Sequence, residues 1–139
     1  MKNKMDALDW ELIKLLKRDA RTSNVSLARE LGVSEGMVRQ RIARLRESGM
    51  IRSFTIETAP KGLKALLEIE VEVNVHTSSV ATKIMELEGV QKVYELSGAV
   101  DIIALIDVES VERLNDTIED IRKVGHIRST RTKLVLNEL

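Results

Sequence analysis

Residues 25–49 read VSLARELGVSEGMVRQRIARLRESG, and this stretch decides the architecture of the first half of the chain. Two helical patterns are separated at Gly32-Val33. Residues 26–31 place Leu27, Ala28 and Leu31 on one face of a short helix. Ser34 then suits an N-cap, because its side-chain oxygen can accept a free backbone N–H of the first turn. Val38, Ile42 and Leu45 repeat at i, i+4 and i+7, a core-facing stripe. At about 100° per residue, Gly36, Arg39, Gln40, Ala43 and Arg44 fall on the opposite side. Two helices joined by a tight turn, the second with a basic outer face, form a helix-turn-helix whose second helix fits a major groove. The plainer alternative is a helical hairpin with a solvated charged face. Small residues at Gly36 and Ala43, forked donors at Arg39, Arg41, Arg44 and Arg46, and an amide at Gln40 favour duplex DNA.

Charge is distributed to match. The 139-residue chain is neutral overall. Residues 1–60 carry 12 Lys/Arg against 8 Asp/Glu, whereas residues 61–139 carry 10 against 14. The first half is thus +4 and the second −4. Phosphate attraction follows local charge, since exposed charges are screened beyond about 10 Å. Hydrophobic content of 43% with 32% charged residues fits a core-forming protein. Without cysteine there is neither a disulfide framework nor a thiolate metal site. The longest uncharged apolar run, residues 102–106, is too short to span a bilayer, and the first ten residues lack a signal-peptide core. A cytoplasmic location and no membrane partner are expected.

Working outward, Asp6 is a candidate cap for a first helix that runs to about Arg18, with Leu8, Leu12, Leu15 and Leu16 as its stripe. Trp10, the only tryptophan, is expected to pack partly against a neighbouring element. Residues 50–56 alternate Ile51, Ser53 and Thr55 with Arg52, Phe54 and Ile56, which predicts a short strand. Residues 57–64 hold the only proline, Pro60, and then Gly62, and read as a hinge. Beyond it the rhythm changes. Leu67, Ile69, Val71, Val73 and Val75 alternate with Glu68, Glu70, Glu72 and Asn74, a strand with one apolar face. A helix over 79–88, strands over 90–96 and 100–108, a helix capped by Ser110 and a strand over 127–136 complete the order βαββαβ, the ferredoxin-like pattern. Two helices cover one sheet face and leave the other open, which suggests pairing with a second copy. The expected class is therefore α+β: a winged-type three-helix helix-turn-helix domain over 1–56, a linker over 57–64 and a ferredoxin-like domain over 65–139.

These motifs together resemble the Lrp/AsnC family, the feast/famine regulators. The opening is similar to that family's LDxxDxxIL…L…DAR through Leu8-Asp9, Glu11, Ile13, Leu15-Leu16 and Asp19-Ala20-Arg21. The helix-turn-helix resembles its LAxxxGxSxxxVxxRIxxLxxxGxI through Leu27-Ala28, Gly32, Ser34, Val38, Arg41-Ile42, Leu45, Gly49 and Ile51. Gly98-x-x-Asp101 resembles its GxxD loop, and Thr130-x-Thr132 its TxT. Glu11 stands where the family usually has Asp, and Ala99-Val100 are small and apolar where many members carry a polar or aromatic residue. The resemblance implies a homodimer on double-stranded DNA, assembly into octamers, and a free amino acid as effector. The implied pocket draws on Gly98, Ala99, Val100, Asp101, Arg128, Thr130 and Thr132. Read from the residues alone, Ser97 to Val100 form a plain hairpin turn and the threonines are ordinary strand residues.

The leading expectation is a sequence-specific DNA-binding transcriptional regulator. Arg39, Gln40 and Met37 would reach base edges, with Gly36 admitting close approach. Ser34, Arg41, Arg44, Arg46 and Arg52 would meet phosphates. Arg41, at the edge of the stripe, has bracing the fold as its alternative. The alternative function is an architectural, weakly specific DNA-coating protein with an assembly-only C-terminal domain. RNA recognition through sheet aromatics is disfavoured, since Tyr94 is the only aromatic in residues 61–139. His76 and His126, the only histidines, sit in no catalytic or metal-binding pattern, so no enzyme, metal or cofactor is expected.

Overall fold

The computed structural model describes residues 5–59 and 62–138. The chain divides into two compact units, Met1–Glu57 and Thr58–Leu139. Pro60, the centre of the expected hinge, lies outside the described residues.

The first unit consists of three helices, α1 (Ala7–Arg18), α2 (Asn24–Leu31) and α3 (Glu35–Glu47). A capping box starts α1: Asp6 accepts the Asp9 N–H at 2.9 Å, and the Asp9 side chain accepts the Asp6 N–H at 3.1 Å. Ser23 caps α2 by accepting the Ser26 N–H at 3.1 Å, so the helix begins two residues before the apolar pattern does. Gly32 closes it with φ +66, a left-handed conformation that L side chains resist. Ser34 caps α3 as expected, accepting from the Met37 N–H at 3.2 Å. Leu12, Leu16, Leu27, Ala28, Val38 and Leu45 form the core, and Ile42 and Ile51 pack against it. Trp10 is 56% exposed, so its packing within the chain is slight.

The strand expected over 50–56 is not formed. Those residues have no regular structure, and no strand pairs with them among the described residues. Alternation alone cannot make a strand, whose backbone groups need a partner to bond. The wing of the expected winged domain is accordingly absent from the described residues of this unit.

The second unit is a four-stranded antiparallel sheet with two helices on one face. It comprises β1 (Leu63–Val71), α4 (Thr77–Met85), β2 (Val90–Glu95), β3 (Ile102–Val108), α5 (Val111–Lys123) and β4 (Ile127–Leu134). The strand order is β2-β3-β1-β4, which is the ferredoxin-like arrangement. Register pairs Ala65 with Ile106, Leu67 with Ala104 and Ile69 with Ile102, so one face of both central strands is wholly apolar. Val80, Ala81 and Ile84 of α4 and Leu114, Ile118 and Ile121 of α5 cover that face. At Gly89, with φ +87, a Cβ would lie 2.9 Å from both Thr117 Oγ1 and Val108 Cγ1, so α5 packs where only glycine fits.

Both boundaries of β1 differ from expectation. β1 begins at Leu63, inside the span read as linker, and stops at Val71 rather than running to Val75. Asn74 adopts φ +72 in a turn there, and Val73 is 79% exposed. On the open face Glu68 pairs with Arg131 and Lys133, and Glu70 with Arg128, along the β4 edge.

Candidate functional site

In α3 the inner and outer faces are sharply different. Val38 and Leu45 are fully buried. Ser34, Gly36, Met37, Arg39, Gln40, Ala43 and Arg46 are exposed, as is Arg52 beyond the helix. A Cβ on Gly36 would meet nothing within 4 Å, so packing does not demand glycine there. Arg39 bonds Glu35 at 2.5 Å one turn back, with 71% of its side chain exposed. Arg46 and Arg52 form no ion pair among the described residues. Seven of the nine residues expected to meet DNA are thus solvated.

Arg41 and Arg44 stand elsewhere. Arg41 Nη1 lies 2.8 Å from Asp6 and 2.7 Å from Asp9. Arg44 Nη2 reaches both Asp9 oxygens, at 2.6 and 2.7 Å. The outward placement of Arg44 is thus corrected: its side chain turns back onto α1 and is 34% exposed. Arg41 takes the bracing role that was the alternative for it, with 18% exposure. Hydrogen bonding to Asp6, then to Asp9, raises the Arg41 pKa above its ordinary value. Reciprocally, Arg41 and the Asp9 N–H hold Asp6 below the usual carboxylate range. Asp9 enters the sequence reading only through the Leu8-Asp9 motif and not as a site residue. Its partners lie 32 and 35 positions away, so the only local signal was its place in the capping box.

In the second unit the expected effector residues divide in the same way. An open cavity of about 320 Å³ is lined by Arg122, Ile127, Arg128, Ser129 and Thr130. It gathers Arg128 and Thr130 and adds Arg122, whose Nε donates to Thr130 Oγ1 at 3.2 Å. Arg128 is ion-paired with Glu70, and the nearby Asp101 charge further raises its pKa. Thr132 lies one strand repeat beyond Thr130, opposite Leu67, and does not line the cavity. Gly98, Ala99 and Val100 form a mostly exposed loop outside it. Asp101 is more than a turn residue. Its Oδ2 accepts the Val71 N–H at 2.8 Å and its own N–H donates to the Ile69 carbonyl at 3.1 Å, which pins the end of β1. Among the described residues no cluster of His, Asp or Glu could hold a metal ion, and no helix is long and apolar enough to cross a membrane.

Comparison with known proteins agrees with both units. Residues 5–46 match the AsnC-type helix-turn-helix domain, and residues 64–139 match the Lrp/AsnC ligand binding domain. The chain is 33% identical to the HTH-type transcriptional regulator LysM of Sulfurisphaera tokodaii over 133 residues, 95% of each chain. Among solved structures, the leucine response regulatory protein of Mycobacterium tuberculosis is 26% identical, with a TM-score of 0.85 over 96% of this chain and 94% of that one. A transcriptional regulator from Neisseria meningitidis, solved as an L-Met complex, shares the fold at 17% identity and a TM-score of 0.83, over 98% of this chain and 92% of that one. These three relatives are regulators by name. With a basic helix-turn-helix, a ferredoxin-like second unit and a family match to each, the chain belongs to the Lrp/AsnC family of DNA-binding transcriptional regulators.

Proposed function

We propose that this chain is a sequence-specific regulator that binds double-stranded DNA as a homodimer, α3 entering the major groove of each half-site, under the control of a free amino acid bound by the second unit. The observation that carries it is the contrast across α3, with Val38 and Leu45 wholly buried and Met37, Arg39 and Gln40 exposed. Arg39 matches the two acceptors of guanine and Gln40 the donor–acceptor pair of adenine. Met37 supplies apolar contact. Ser34, Arg46 and Arg52 approach phosphates, and Gly36 lets the backbone come close. The Arg39–Glu35 bond is exposed, and exposed pairs are weak, so a base edge replaces Glu35 at little cost. A dimer joined through its second units would place two α3 helices on half-sites about one turn of DNA apart, or a multiple of it, which calls for a pseudo-palindromic site. Further association of dimers gives an octamer.

For the effector, Arg122 and Arg128 would offer donors to a carboxylate and Thr130 a hydroxyl, with Thr132 and Asp101 outside the cavity that these three line. Gly98, Ala99 and Val100, expected beside the effector, lie in the loop outside that cavity. The leucine-response protein and the L-Met complex support an amino acid as the ligand class.

The test is competition between a site selected from random duplexes and its scrambled version. An affinity ratio of about 10³ or more is expected, and a ratio near one means an architectural coat instead. Arg39→Ala should lose about 1–3 kcal/mol of discrimination at one base pair. A thermal-shift series over the twenty amino acids should raise the melting temperature with concentration for at least one of them. No shift with any removes the effector from the proposal.

A further inference from the structure

The four arginines of α3 do not share one role, and Asp9 divides them. Its side chain is 1% exposed. One oxygen receives Arg41 Nη1 and Arg44 Nη2, and the other receives Arg44 Nη2 and the Asp6 N–H. Both oxygens are therefore occupied, from two separate turns of the chain.

We propose that Asp9 is a positioning residue for DNA recognition, which ties α3 to α1 through Arg41 and Arg44 and withholds both guanidiniums from the phosphates. The proposal rests on the DNA-binding reading above. Three considerations carry it. First, moving Arg44 to a phosphate would leave a buried carboxylate short of a partner, and a buried charge that loses its partner is strongly destabilising. Second, apolar packing is not directional, so Val38 and Leu45 set only coarsely which face of α3 turns outward. Two arginines three residues apart, about 4.5 Å along the helix axis, fix both rotation and tilt. The rotation of α3 decides whether Arg39 and Gln40 meet base edges. Third, the Arg41 Nε N–H is buried and has no acceptor among the described residues. Arg41 is drawn inward despite that unsatisfied donor, as expected if its attachment to the carboxylates dominates.

Of the arginines expected to meet phosphates, Arg46 and Arg52 are then left, and Arg39 stays with the base edges. Counterion release makes this measurable, because log K against log salt loses about 0.9 of slope for each phosphate contact removed. With the full chain, binding to the selected site and to random duplex is measured over a salt series for the parent, Arg44→Ala, Arg46→Ala, Asp9→Asn and the Asp9→Asn/Arg44→Ala double variant. Arg46→Ala should flatten the slope by about 0.9. Arg44→Ala should leave the slope unchanged and lower the ratio of selected to random affinity by about tenfold, or 1.4 kcal/mol. Arg44→Lys should restore that ratio, since one nitrogen serves both Asp9 oxygens. The double variant should lose no more discrimination than Asp9→Asn alone, as two halves of one contact are not additive. If Asp9→Asn fails to fold by circular dichroism, Arg44→Ala still decides the matter, because Arg41 remains on Asp9. A slope flattened by about 0.9 in Arg44→Ala makes Arg44 a phosphate contact and overturns the proposal. An unchanged affinity ratio overturns it equally. If the parent chain ignores DNA, the DNA-binding reading fails instead.

Discussion

Both units set acidic side chains against arginines, and they do so in opposite surroundings. In the first, Asp9 is sealed beneath α3 and gathers two guanidiniums from one helix. In the second, Glu68 and Glu70 lie on an open sheet face and reach Arg131, Lys133 and Arg128, each of which is more than half exposed. Glu68 and Glu70 are themselves 14% and 23% exposed against 1% for Asp9, so water reaches the second arrangement, chiefly at its cations, more readily than the first. The same residue types therefore act as a structural tie in one place and as surface dressing in the other.

The sharpest way to break this contrast is Asp9→Ala. Trp10 and Tyr94 are the only tryptophan and tyrosine, one in each unit, so the two transitions can be followed separately in urea. Asp9→Ala should cost the Trp10 transition about 3 kcal/mol, as for a buried ion pair that loses one partner, and leave the Tyr94 transition in place. A loss too small to detect would put Asp9 in the same class as Glu68.

Acid gives the next largest effect. Glu68 and Glu70 are held below the ordinary value of 4.5, chiefly by hydrogen bonds from Lys133 and Arg128. A lowered folded-state pKa stabilises the ionised form. Their contribution is complete above pH 4.5 and drains as pH falls through the lowered values. The Tyr94 midpoint should fall over that window, and Glu68→Gln/Glu70→Gln should flatten the fall. Ser34→Ala tests how far the first unit depends on local caps rather than the tie. A loss of about 1 kcal/mol is expected, with faster amide exchange at Met37. Smallest is Glu68→Gln at neutral pH. Its slight effect should vanish in 1 M salt, where screening acts within about 3 Å, while the Asp9→Ala loss persists.

What could be read from the chain beforehand follows the reach of each interaction. Ser34 and Ser110 were legible as caps because a cap bonds three residues on, at Met37 and Arg113. Glu68 meets Arg131 and Lys133 because strand alternation puts all three on one face. Arg44 was misplaced because a helical wheel gives the direction of Cβ, and a long side chain can turn its head back from there. Residues 50–56 alternated convincingly, yet nothing in the sequence of one unit shows whether a neighbouring strand exists. Arg122 escaped notice because it sits on α5, and only the packing of α5 beside β4 brings it to Thr130.

The order β2-β3-β1-β4 leaves β4 with one flank of amide and carbonyl groups unmatched within the sheet. Such a border invites runaway strand addition by any extended segment that meets it. Three of its eight residues, Arg128, Arg131 and Lys133, are cations. Long charged side chains along a border repel their own kind, so the arginines and lysine that neutralise Glu68 and Glu70 also act as gatekeepers against fibre growth. Converting all three to valine would leave the apolar core untouched and turn this border into a self-templating one.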